Sequence, residues 1–127
     1  MDDSSVNGSR VLLADDNAVN AEVTAALLEY VGYSVDIATN GQEAVSMADS
    51  HNYCALIFDC QMPILDGYEA ALKIRTGGRA NTATPIIALS GLDSHANEER
   101  FKAAGMNAQL TKPVALADLK AVLDKWL

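Results

Sequence analysis

Short apolar runs alternate five times with segments of helical periodicity along this chain. That alternation constrains the fold more than any other feature of the sequence. Val11-Leu12-Leu13-Ala14 reads as a first strand. Val19, Val23, Ala26, Leu27 and Tyr30 then recur at helical spacing, and Gly32 stops that helix. Ser34 to Ala38 alternates apolar and polar residues as a second strand. Asn40 and Glu43 read as a capping box for a helix carrying Ala44, Val45 and Ala48. Ala55 to Phe58 is a continuous apolar strand that runs straight into Asp59. Asp66 and Glu69 repeat the capping-box pattern and open a helix through Arg75, ended by Gly77-Gly78. A polar loop leads to a fourth strand, Pro85 to Leu89. Ser94 is placed as the cap of a helix ending at Gly105, and Ala108 to Thr111 as the fifth strand. Leu116, Leu119, Val122, Leu123 and Trp126 share one face of the last helix.

Strands alternating with helices predict an α/β fold with a parallel sheet covered on both faces. The first, third and fourth strands are uniformly apolar, as central strands are. The second and fifth contain polar positions, as edges can. The expected architecture is a three-layer, flavodoxin-like (βα)5 doubly wound sheet of order 2-1-3-4-5. Ligands in such a sheet bind at the carboxyl ends of the strands, near the switch point between strands 1 and 3.

The chain of 127 residues fits one domain, read as residues 10–127, with residues 1–9 a polar, acidic leader or linker. Half of the residues are hydrophobic, enough for a core without disulfide or metal staples. No apolar run approaches the length of a membrane-spanning helix. A net charge of −8 disfavours a nucleic-acid or membrane surface and favours a basic protein partner. Cys54 and Cys60 flank a strand and read as reduced thiols in or near the core, with a spacing unlike zinc ligands. His51 and His95 read as surface histidines, Met62-Pro63 as a loop clamp with Met62 half-buried, and Trp126 as a packing residue.

Four segments deliver polar groups to one end of this sheet. Asp15 and Asp16 follow strand 1, Asp59 follows strand 3, Ser90 and Gly91 follow strand 4, and Thr111, Lys112 and Pro113 follow strand 5. Each alone has an ordinary explanation: a carboxylate after a strand usually caps a helix or a turn, and Lys112 could be a surface lysine. Their convergence points to chemistry. Three crowded carboxylates repel, and a divalent cation relieves that repulsion. An all-oxygen ligand set with room for water suits magnesium or manganese. Such an ion offsets the charge of an incoming phosphoryl group, and one carboxylate can then act as nucleophile. Asp59 stands alone at the centre, whereas the adjacent Asp15 and Asp16 are better suited to hold metal. Lys112 supplies a compact positive charge, Ser90 a hydroxyl donor, and backbone N–H groups after strands 3 and 4 further donors.

The motifs "LLADDN", "DCQMPILDGYEA", "IIALSG", "AAGM" and "LTKP", in that order, make the chain similar to the receiver domains of two-component signalling over Arg10 to Leu127. It most resembles receivers attached to hybrid sensor histidine kinases. The resemblance implies that Asp59 is the phosphorylated aspartate. It implies that Asp15, Asp16, Asp59 and the backbone carbonyl of Gln61 hold magnesium, and that Ser90 is the hydroxyl switch residue. Lys112 would be the phosphate-pairing lysine, joined to Pro113 by a cis peptide. Gly67 and Gly105 match turn and helix-end glycines. One position departs from the pattern: the family's aromatic three residues before the lysine is Gln109 here, which cannot fill the same apolar space.

The implied partners are a histidine kinase, a histidine phosphotransfer domain or both, with no nucleic acid and no membrane contact. The implied location is cytoplasmic, and the implied state is a monomer, with weak dimerisation through the strand 4–helix 5 face as the alternative. The domain would promote its own phosphorylation and dephosphorylation without being a turnover enzyme; the parent of an excised receiver would be a protein-histidine kinase. Competing readings are a free-standing response regulator acting by protein–protein interaction, a flavodoxin-like flavin protein, a phosphatase of the haloacid dehalogenase type and a degenerate receiver. Asp15-Asp16 would repel a flavin phosphate. The phosphatase wants a second Asp where this chain has Asn17. An intact Asp59, Lys112 and acidic pair argue against the degenerate form.

Overall fold

The computed structural model describes residues 10–62, 64–77, 81, 83–91 and 98–127. The chain order is β1 (Arg10–Ala14), α1 (Ala18–Val31), β2 (Ser34–Ala38), α2 (Gly41–Ser50), β3 (Ala55–Asp59), α3 (Gly67–Thr76), β4 (Ile86–Ser90), α4 (Glu98–Ala103), β5 (Ala108–Thr111) and α5 (Leu116–Trp126). All neighbouring strands pair in parallel, in the order β2-β1-β3-β4-β5. Every residue of β3 and β4 is buried, whereas the edge strands β2 and β5 keep exposed positions. The textures expected of central and edge strands are therefore the observed ones.

Alternate side chains of the strands feed two cores, as the two-residue period of a strand requires. Leu12, Ala14, Leu56, Phe58, Ile86 and Ala88 pack against α2, α3 and Ala104. Val11, Leu13, Ile57, Ile87 and Leu89 pack against Ala21, Ala25 and Leu28 of α1 and Leu119 and Leu123 of α5. The sheet thus lies between two helical layers.

The face of α1 differs from the expected one. Val19, Val23 and Tyr30 are 68%, 54% and 79% exposed, and the residues facing the sheet are Ala21, Thr24, Ala25 and Leu28. Both stripes have helical spacing. The small side chains of the second let the helix approach the sheet closely, and this outweighs the larger transfer energy of the valines. The α5 face is as expected, with Leu119 and Leu123 buried and Leu116, Val122 and Trp126 half-buried.

The caps differ in completeness. Asp66 and Glu69 form both bonds of a capping box. Asn40 accepts from Glu43 N at 2.8 Å, but the Glu43 carboxylate reaches Thr39 N at 2.7 Å rather than Asn40 N. The expected box there is half formed, with the return bond displaced by one residue. Strand β4 begins at Ile86, and Pro85 instead offers its carbonyl to Leu56 N. Ser94, His95, Pro63 and Gly78 lie outside the described residues; His51 is exposed and Met62 half-buried. Cys54 is half-buried and Cys60 buried, both as free thiols.

Three polar clusters brace the molecule away from the carboxyl end of the sheet. Asn81, buried with φ 70°, donates to Ala48 O and His51 O at 2.7 Å each. Its Oδ1 accepts from Tyr53 N at 2.9 Å and Thr84 Oγ1 at 3.1 Å, so its amide capacity is filled. Arg75 donates to Gly105 O at 3.0 Å and Asn107 Oδ1 at 2.9 Å, tying the end of α3 to the turn before β5. At the start of β1 and on the edge strand, Arg10 pairs with Asp36, which also accepts from Tyr53 Oη at 2.9 Å. Burial first, then the Asp36 carboxylate, pushes the Tyr53 phenol well above its ordinary range.

Candidate phosphoryl-acceptor site

Strand ends place the polar groups. Asp15 leaves β1 with its backbone N–H donating to Ala38 O at 3.1 Å, and its Oδ1 accepts from Asn17 N at 2.9 Å. The Asp15 side chain is fully buried, and among the described residues its Oδ2 has no hydrogen-bond partner. Asp16 is exposed at the rim. Asp59 is the last residue of β3, with a side chain 6% exposed. Its Oδ1 accepts from Gln61 N at 3.0 Å, and its Oδ2 accepts from Lys112 Nζ at 2.7 Å. Gly67 lets α3 begin against this corner, since a Cβ there would collide with the Asp59 carbonyl oxygen.

Lys112 is carried in by the β4–β5 ladder. Ser90 pairs with Thr111, and Lys112 N then donates to Ser90 O at 2.8 Å. The Lys112–Pro113 peptide is cis, as the resemblance implies. The ammonium lies 3.6 Å from Asp15 Oδ2 as well as 2.7 Å from Asp59. Burial works against its charge, but the hydrogen bond and charge of Asp59 and the charge of Asp15 outweigh that, and its pKa is raised. Burial is also the largest influence on Asp15; with the Asp59 charge it raises the carboxyl, against the Asn17 N–H bond.

Carboxylate oxygens of Asp15, Asp16 and Asp59 all lie within 4.8 Å of one another. A buried, orphaned Asp15 Oδ2 in a cluster of hard oxygen donors fits a small divalent cation. It is a desolvated acceptor that lacks a hydrogen bond among the described residues, with the Lys112 ammonium 3.6 Å away also bound to Asp59. The cluster opens into a cleft of about 820 Å³ at the carboxyl edge of the sheet. Ser90 and Gln61 line this cleft with Asp59 and Lys112, so the expected site residues come together. Gln109 is exposed on β5 and contributes nothing to the core, as expected of a polar residue in the aromatic's place.

Other residues of the wall carry no chemical signature in the sequence. Asn17 and Asn20 enter from the start of α1, Tyr68 from α3 and Arg100 from α4. Asp66 is legible only as a helix cap, yet Arg100 Nη2 donates to both of its carboxylate oxygens, at 3.0 and 3.2 Å. Cys60 also lines the cleft, and burial pushes its thiol up.

The family profile for the response regulator receiver domain matches residues 11–124. Hybrid signal transduction histidine kinase E of Dictyostelium discoideum is 41% identical over 118 residues, covering 91% of this chain and 7% of that protein. Hybrid signal transduction protein dokA of the same organism is 33% identical over 117 residues, covering 92% of this chain and 7% of that protein. The chain thus spans a small fraction of the curated relatives it matches. Among solved structures, the receiver domain of a Pseudomonas aeruginosa sensor histidine kinase, with magnesium in its active-site cleft, superposes with a TM-score of 0.84. The two are 39% identical, over 94% of this chain and 97% of that one. A Saccharomyces cerevisiae response-regulator receiver, crystallised with a histidine phosphotransfer signaling protein, gives 0.80 at 29% identity, over 95% and 90% of the two chains.

Proposed function

The chain belongs to the response regulator receiver domain family of phosphorelay systems, and from that premise we propose that Asp59 is its phosphoryl acceptor. The observation that carries the assignment is the placement of Asp59. It is a nearly buried carboxylate at the end of a central strand, hydrogen bonded to Lys112 and opening into the acidic cleft. An oxygen of Asp59 attacks the phosphorus of a phosphohistidine. The new P–O bond forms as the P–N bond breaks, and the imidazole, protonated at its other nitrogen, leaves neutral. Lys112 pairs with the phosphoryl oxygens as they arrive, and the Ser90 hydroxyl donates to one of them. Asp15, Asp16, Asp59 and the backbone carbonyl of Gln61 are the proposed ligands of magnesium, or manganese, which when bound supplies charge that offsets the phosphoryl oxygens.

The phosphoryl group is then passed to a second histidine or lost to water. The proposed partners are a histidine kinase, a histidine phosphotransfer domain or both. The relatives support a place within a hybrid kinase. No described helix is long and apolar enough to cross a membrane, and the proposed location is cytoplasmic. Incubation with magnesium and acetyl phosphate, read by intact-mass spectrometry, tests the reading. One labile phosphoryl group is expected on the protein and none on Asp59→Asn. No gain from acetyl phosphate or from a phosphorylated histidine phosphotransfer protein overturns it.

A further inference from the structure

Among the described residues, two cations line the cleft, Lys112 and Arg100. Lys112 is committed to Asp59 and Asp15. Arg100 reaches from α4 to Asp66, and its guanidinium carbon stands 4.5 Å from the centroid of the Tyr68 ring. Asp66 also accepts from Glu69 N at 2.9 Å as the cap of α3. One carboxylate therefore joins the start of α3 to α4. The Arg100 and Asp66 side chains are 46% and 23% exposed, so their bridge is of the weak, solvent-screened kind.

Charge in the cleft changes with its chemical state. Asp15, Asp16 and Asp59 against Lys112 leave an excess of two negative charges. A divalent cation cancels that excess. Phosphorylation of Asp59 replaces one carboxylate charge with an acyl phosphate of about two, so a negative charge returns with Lys112 already engaged. A guanidinium binds phosphoryl oxygens in the same two-pronged way that it binds a carboxylate.

We propose that Arg100 is a charge-operated latch, which exchanges Asp66 for the phosphoryl group when Asp59 is phosphorylated and so loosens α4 from the start of α3. The inference rests on Asp59 being the phosphoryl acceptor. The phosphoryl-free domain is the latched form.

The test is titration with beryllofluoride, a phosphoryl mimic, in the presence of magnesium, followed by NMR of the backbone amides and the Tyr68 ring. Asp66→Asn keeps the cap, because Asn caps a helix as well as Asp does, and removes the competing charge. It is expected to bind beryllofluoride roughly fivefold more tightly than wild type, and Arg100→Ala roughly fivefold more weakly, the scale of a part-exposed charged contact. In the Arg100→Ala background, Asp66→Asn is expected to change affinity by less than about twofold, because the two act as one coupled pair. The signals of the Tyr68 ring, which also lines the cleft, shift more on binding in wild type than in Arg100→Ala. Equal effects of Asp66→Asn with and without Arg100 mean through-space charge alone and overturn the latch. Weaker binding in both single variants means a structural bridge and also overturns it. Acetyl phosphate labelling of the same samples separates the two layers. Labelling without Arg100 dependence defeats the latch only, whereas no labelling and no beryllofluoride binding in wild type defeat the acceptor reading and the latch together.

Discussion

Replacing Lys112 by Met removes, among the described residues, the one cation that faces both buried carboxylates while keeping much of the side-chain volume. The lost partners are Asp59 Oδ2 at 2.7 Å and Asp15 Oδ2 at 3.6 Å, on side chains 6% and 0% exposed. At an effective dielectric of about 20, each attraction is roughly 5 kcal/mol before desolvation. Removing one partner of a fully buried pair typically costs about 3–5 kcal/mol. Lys112 is 22% exposed and the site opens to a wet cleft, so the expected loss is smaller, about 2–3 kcal/mol. That is a large part of the ~5–15 kcal/mol by which such a domain is stable. The assay is urea unfolding in EDTA and again in millimolar magnesium. In EDTA, Lys112→Met should show the full deficit. In magnesium most of the deficit should vanish, because a cation held by Asp15, Asp16 and Asp59 answers the same uncompensated charge. Asp59→Asn in the Lys112→Met background should also recover stability, by removing one of the stranded charges. A Lys112→Met protein as stable as wild type in EDTA, or a deficit unmoved by magnesium, would refute the reasoning.

The corrected phase of α1 predicts that Val23→Glu changes stability by less than about 0.5 kcal/mol, whereas Leu28→Ala costs about 2–5 kcal/mol; urea midpoints of the two variants check this. Asn81→Ala strands two carbonyls and an N–H and puts Ala, which tolerates the left-handed region less well than Asn, at φ 70°. Its expected cost is about 2–4 kcal/mol, by the same measurement. Tyr53, with a phenol pKa raised in the fold, contributes stability that is fully present below its ordinary pKa near 10 and lost as pH rises toward the folded value. The stability gap between wild type and Tyr53→Phe should therefore be constant from pH 7 to 9 and shrink above pH 10. A gap that widens with alkali would contradict the Tyr53–Asp36 bond.

The topology was legible because burial on both faces leaves little room for polar residues within a central strand, and β3 and β4 are apolar from Ala55 to Phe58 and from Ile86 to Leu89, with a polar residue only at the carboxyl end of each. The site was legible for a related reason. A carboxylate that follows such a strand must emerge at its carboxyl end, so Asp15, Asp59 and Lys112 could be brought together without knowing a single side-chain angle. What stayed hidden depends on partners far apart in the chain. Val19, Val23 and Tyr30 have the spacing of a core stripe, and only the closeness of helix to sheet favours Ala21, Ala25 and Leu28 instead. Arg75 meets Gly105 and Asn107, Asn81 meets Ala48 and Tyr53, and Arg100 meets Asp66. No local pattern announces any of these pairs.

The bonds from Arg75 to Gly105 and Asn107 have a mechanical consequence for α4. Gly105 and Asn107 lie in the turn that follows this helix, and Asn107 Oδ1 also accepts from Ile86 N at 2.8 Å, which moors that turn to the sheet. The carboxyl end of α4 is thereby a pivot fixed to β4 and α3. A helix anchored at one end swings rather than slides. Displacement therefore grows from Ala103 back toward Glu98, with Arg100 partway along the lever. A small change in where that guanidinium rests is magnified toward the amino end of the helix.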